Sequence, residues 1–299
     1  MNPTLDALQS LDVAPATVAA LVLAVVVLGV TDPVLGRRDH RALLAELAAD
    51  PAGAEAARVR FYRRWVRGGW LWAAAVVALV TALPDVGLAA LGLRAPDLAG
   101  LGTSVWRGTS SAVDVPPGDV LETAAGMLVG LLLGTAVVVA VLRLVARARS
   151  RSAQAPRAGS GGIPLAGSAA LTPMLPTTPR GRRGWAALSV TAGVTEEITY
   201  RGLVLLTLAL LLPTADPRVV VVIAAVLFGA AHAYQGWAGM LATGLAGAVF
   251  AGLYLATGSL VVPMGLHVLV DLRALLLTPR PVRRRDTAGT VQPAQPVSA

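Results

Sequence analysis

Apolar residues in this chain come in long blocks. Residues 13–31 carry no charge at all. Further blocks lie at 70–83, 120–146, 185–212, 219–233, 237–257 and 259–278. A helix needs about 20 apolar residues to cross the hydrocarbon core. The block at 70–83 reaches that length if Pro84 and Asp85 sit at the far interface, and 120–146 is interrupted only by Glu122 and Arg143 near its ends. The pattern predicts an all-α, polytopic transmembrane helix bundle with seven spans, and an eighth if residues 85–93 re-enter the membrane.

Composition agrees. The chain is 55% hydrophobic and 14% charged, where a soluble domain carries about 25% charged residues. Every one of its 25 basic residues is arginine. They cluster within 37–67, 143–183 and 280–285, and loops rich in arginine stay in the cytoplasm. Residues 1–13 hold no basic side chain, which places the N-terminus outside. Seven alternating spans then put all three clusters and the C-terminus on the cytoplasmic side. The first span lacks a positive leading region and reads as a retained anchor rather than a cleaved signal. The net charge of +8 belongs to these loops, so no nucleic-acid partner is expected. There is no cysteine, which excludes disulfides, a thiol nucleophile and Cys-ligated zinc. The absence of lysine beside abundant Ala, Val, Arg and Gly fits a GC-rich bacterial genome, and hence a bacterial cytoplasmic (inner) membrane.

Residues 1–147 form a three-span N-terminal region, with a cytoplasmic helix at 40–67 broken near Pro51-Ala52-Gly53. Phe61, Trp65 and Trp70 fall at headgroup level, where arginines reach lipid phosphates. Gly126, Gly130 and Gly134 make a small-residue stripe that serves either internal packing or a homodimer seam. Residues 148–184 read as a flexible linker, 185–278 as a four-span core, and 279–299 as a disordered tail.

The chemistry concentrates in the core. Glu196 and Glu197 are adjacent in an apolar helix, and Arg201 follows. Charges at the bilayer centre are costly and are a mark of function. Glu197 and Arg201 lie four apart and share a helix face, so they neutralise each other. Glu196 points about 100° away and has no local partner. A carboxylate facing a water-poor cavity without a partner suits a general base. Tyr200 lies on the face of Glu196, and its phenol points toward the same cavity. Phe228 and His232 form a second pair on the next span; His267 and Asp271 form a third. Asp271 would orient the imidazole or share a metal with it. The chain has three histidines, and His40 receives no role. One glutamate and two histidines in a buried site fit either a metal centre or a glutamate-based hydrolytic site. If they form one site, their side chains should lie within about 8 Å of one another.

These motifs, in this order and each on its own helix, resemble the CPBP (CAAX protease and bacteriocin-processing, or Abi) family, which includes the CAAX prenyl endopeptidase of the Ras-converting type. The resemblance covers about residues 185–278. It implies an intramembrane endopeptidase acting on a membrane-associated peptide or protein. By position, Glu196 is the general base and activates water together with His232. Glu197 and Arg201, with Tyr200 and Phe228, support the site. His267 and Asp271 stabilise the oxyanion or bind metal. The cofactor is either none or one zinc ion, with Glu196, His232, His267 and Asp271 as candidate ligands. The CAAX branch carries Asn where this chain has Asp271, and an ionised Asp cannot donate a hydrogen bond. The alternative is a non-catalytic membrane scaffold or bacteriocin self-immunity protein of the same fold.

Overall fold

The computed structural model describes residues 2–97 and 168–277, and every regular element among them is helical. Helix α1 spans Pro3–Gln9, α2 Pro15–Ala49 and α3 Ala54–Ala82. A short α4, Ser168–Leu171, leads to α5, Pro179–Glu196. A π-helical segment, Glu197–Val204, continues α5 directly into α6, Leu205–Leu211. Then come α7, Pro217–Ala231, α8, Gly236–Thr257, α9, Val261–Leu272, and α10, Ala274–Leu277. The expected span at 120–146, the stripe of Gly126, Gly130 and Gly134, and the tail at 279–299 lie outside the described residues.

Local signals account for the helix starts. Thr178 accepts from the Gly181 amide at 3.1 Å, and Asp216 accepts from the Arg218 amide at 2.8 Å. Each is followed by a proline, whose missing N–H costs nothing in the first helical position. α8 ends on Gly258 at φ 64°, a left-handed cap that other residues adopt with strain.

Three described stretches are long and apolar enough to cross a membrane: Pro15–Ala49, Ala54–Ala82 and Ala233–Thr257. Their outward faces bear this out. Leu23, Val26, Val30 and Val34 are exposed along α2 at helical spacing, and Trp237, Leu241, Leu245 and Val249 along α8. Apolar stripes of this length meet lipid, so the chain is that of a membrane protein.

The remaining expected spans take a different form. Block 219–233 becomes the shorter apolar helix α7. Block 259–278 becomes α9 and α10, of which α9 has only 12 residues. Block 185–212 holds the polar cluster in its middle, within α5 and the π segment. The stretch 40–67 consists of the facing ends of α2 and α3, with Pro51 to Gly53 at the turn between them. Pro33 lies inside α2 without ending it.

The main core joins α2, α3 and the C-terminal helices through Leu28, Val76, Leu203, Leu206, Phe228 and Tyr254. A second cluster of Leu43, Phe61, Tyr62, Met174 and Trp185 ties the α2–α3 turn to the start of α5. Two close approaches position the site. A Cβ on Gly193 would sit 2.8 Å from the Val268 amide nitrogen, so only glycine lets α9 lie this near α5. A Cβ on Gly229 would sit 2.6 Å from the Met240 carbonyl, which sets the crossing of α7 and α8.

Candidate active site

Three elements contribute the polar side chains. Glu196 ends α5 and Glu197 opens the π segment. The i→i+5 bonding of a π turn widens the helix and recurs at functional sites. Here it runs through Glu197 and Arg201, and all eight of its residues are buried. His232 caps the C-terminus of α7. His267 is buried in the middle of α9.

Glu197 is the structural centre. It has no exposed surface, and its Oε1 accepts from Arg201 Nη1 at 2.9 Å and lies 2.8 Å from His267 Nδ1. Arg201 is 2% exposed. Its Nη2 donates to the Gly247 carbonyl at 3.1 Å. Its guanidinium carbon lies 4.3 Å from the Phe228 ring centroid and 5.2 Å from that of Phe250. A charge taken this far from water persists only when it is paired and hydrogen-bonded, and Arg201 has both, with aromatic faces besides. His267 is stacked on Phe250 with centroids 5.1 Å apart.

Glu196 is placed otherwise. Its Oε2 is shielded from solvent and has no hydrogen-bond partner among the described residues. It lies 3.9 Å from His232 Nε2 and 3.9 Å from His267 Nε2. The two imidazoles therefore flank one unsatisfied carboxylate oxygen, and the expected convergence of Glu196, His232 and His267 is present. A gap of 3.9 Å is too long for a direct hydrogen bond and suits one bridging water.

The ring nitrogens have fixed roles. His232 Nδ1 lies 2.9 Å from the Phe228 carbonyl oxygen, which can only accept. The proton therefore sits on Nδ1, and in the neutral ring Nε2 offers a lone pair toward Glu196. For His267, Glu197 takes the Nδ1 side, so Nε2 becomes a donor when the ring carries a second proton. Asp271 Oδ2 is 3.9 Å from His267 Nε2, beyond hydrogen-bond reach, and the Asp271 carbonyl accepts from Trp185 Nε1 at 3.2 Å. The residue that orients His267 is thus Glu197 and not Asp271. This contact joins residues 70 apart in sequence, so helix spacing alone could not reveal it.

Tyr200 donates to Asp32 Oδ2 at 2.7 Å and packs edge-on against Phe228 at 5.0 Å. Phe228 in turn packs against His232 at 4.7 Å. Asp32, on α2, is a site neighbour that the sequence reading missed. The signal was a lone carboxylate just past an uncharged block. His40 is buried, with Nε2 2.9 Å from the Ala170 carbonyl, and it serves packing near the α2–α3 turn. As to metal, no group of three or more His, Asp or Glu side chains among the described residues is arranged to hold an ion.

Residues 182–273 match the family described as Type II CAAX prenyl endopeptidase Rce1-like. The match is consistent with the CPBP/CAAX protease family, and it spans Glu196, His232, His267 and Asp271 together. No curated protein and no solved structure matches the chain.

Proposed function

We propose that this protein is an intramembrane endopeptidase in which Glu196 and His232 activate a water molecule. The observation that carries this reading is the unsatisfied Oε2 of Glu196, 3.9 Å from the Nε2 atoms of both His232 and His267. The family match to residues 182–273 supports a peptidase of the CAAX type.

In this reading a water sits between Glu196 Oε2 and the lone pair of His232 Nε2. The water oxygen attacks the scissile carbonyl carbon, and its proton passes to Glu196. His267, protonated and held through Nδ1 by Glu197, presents Nε2–H to the oxygen that gains the negative charge. Asp271 lends a second donor only in its protonated form. One such donor is often worth about 3 kcal/mol of barrier. Collapse of the tetrahedral intermediate breaks the C–N bond, and Glu196 returns the proton to the leaving amine. General-base groups contribute roughly 10²–10⁴-fold. The substrate class is a membrane-associated peptide or protein, and the setting is a bacterial inner membrane with the N-terminus outside. The family name does not fix a prenylated substrate. No step here runs through a metal.

The test uses purified protein in detergent, incubated with membranes from a strain lacking it. New peptide N-termini are then read by labelling and mass spectrometry. Termini made by wild type and absent with Glu196→Gln, at unchanged thermal stability, support the proposal. Equal cleavage by Glu196→Gln would sink the role given to Glu196, and no new termini with wild type would favour the scaffold or self-immunity reading. Metal analysis of the same samples decides the cofactor: about one zinc per chain, lost in Glu196→Gln and His232→Ala, would make these residues ligands.

A further inference from the structure

A groove of about 250 Å³ opens where α3 meets the start of α5, with Arg63, Val66, Arg67 and Arg180 in its wall. It continues along α3 past Val66 and Arg67 to Trp70 and Leu71. The arginines near the α2–α3 turn fall into two sets. Arg58, Arg60 and Arg64 pair with Glu55, Glu46 and Asp39. Arg63, Arg67 and Arg180 have no carboxylate or hydrogen-bond partner among the described residues, and all three are exposed. Arg63 and Arg67 are four apart on α3, so they share one face. Arg180 approaches from the first turn of α5. Three cations thus converge on one groove without a counter-ion.

The other end of the groove is apolar. Leu71 is 73% exposed and Trp70 is 47% exposed. Trp70 Nε1 donates to Thr191 Oγ1 at 3.1 Å, which fixes the indole against α5. Tryptophan in that setting marks the boundary between headgroups and acyl chains, and α3 is itself long and apolar enough to cross a membrane.

We propose that this groove binds an anionic glycerophospholipid. The phosphate sits among Arg63, Arg67 and Arg180, and one acyl chain lies along Val66, Trp70 and Leu71. Guanidinium groups match phosphate oxygens two at a time. A free phosphate would use the arginine end and leave the apolar limb empty, so the two-ended lining favours a lipid. A lipid there braces α3 against α5, the helix that carries Glu196.

The test is lipid affinity of the full-length chain by native mass spectrometry, from micelles containing phosphatidylglycerol or phosphatidylcholine. Each arginine near an anionic surface contributes roughly fivefold. The Arg63→Ala/Arg67→Ala/Arg180→Ala variant is expected to lose at least about tenfold of its phosphatidylglycerol affinity. Phosphatidylcholine binding should stay unchanged. The matching triple lysine variant keeps the charge and most of the affinity, which separates lost binding from lost folding. Three results would overturn the proposal: unchanged affinity in the alanine triple, an equal loss in Arg58→Ala/Arg60→Ala/Arg64→Ala, or displacement of the lipid by inorganic phosphate at similar concentration.

Discussion

At the residue scale, the pair of adjacent glutamates divides two tasks. Glu197 is fully buried and commits its Oε1 to Arg201 and His267. Both glutamates keep an Oε2 without a hydrogen-bond partner among the described residues, but that of Glu196 lies between two imidazoles. Removing the partner of a buried charge costs about 3 to 5 kcal/mol, because the remaining charge stays unpaired. Arg201→Ala should therefore lower the thermal unfolding temperature far more than Glu196→Gln does. Circular dichroism melts of both in detergent check this, and equal melting temperatures would contradict it. Asp32 and Tyr200 act through others: the phenol donates to the carboxylate and packs on Phe228, which packs on His232. Asp32→Asn and Tyr200→Phe are expected to shift the pH profile of cleavage while leaving the fold intact. An identical profile for both would assign the pair to packing alone. Glu196, Glu197, Arg201, His232 and His267 were legible in sequence because ionisable groups stand out against apolar helices. Asp32 was not, since its place depends on how α2 docks.

At the element scale, the apolar blocks fixed where helices run but not how long each stays regular. The start signals at Thr178–Pro179 and Asp216–Pro217 are local and readable. The π segment is not, because i→i+5 bonding leaves no mark on hydrophobic spacing. The short α9 also escaped the block pattern, since α10 continues its apolar run after a one-residue break. What holds α9 in place is the contact of Gly193 with the backbone of Val268. A side chain there cannot be absorbed by a rotamer change, as part of what it meets is main chain. Gly193→Val should force α9 off α5 and take His267 away from Glu197. Overpacking of this kind costs about 1–3 kcal/mol, so lower stability and lost cleavage are expected together. Gly252→Val, at a glycine with open space around it, is the control that should change neither.

At the scale of the whole molecule, the family match covers 182–273, yet the folded unit draws on both ends of the chain. Asn2 Nδ2 donates to the Leu255 carbonyl, and Gln9 Nε2 donates to the Leu212 and Ala215 carbonyls. Arg58 and Tyr62 donate to the carbonyls of Pro173 and Met174, and Glu55 accepts from both Thr177 and Thr178 just ahead of α5. Each such contact replaces one that water would otherwise supply, and buried groups left without it cost about 1–3 kcal/mol apiece. The N-terminal helices also bury Leu203, Leu206 and Phe228 from one side, and they bring Asp32 to the site. We therefore expect residues 168–299 expressed alone in membranes to be aggregated or rapidly degraded. Co-expression with residues 1–150 as a separate chain should restore a monodisperse complex, because the packing needs both halves and not the covalent link. Size-exclusion chromatography after co-purification reads the outcome. A stable, monodisperse 168–299 fragment would show instead that the matched segment folds by itself and that the N-terminal helices are an attachment.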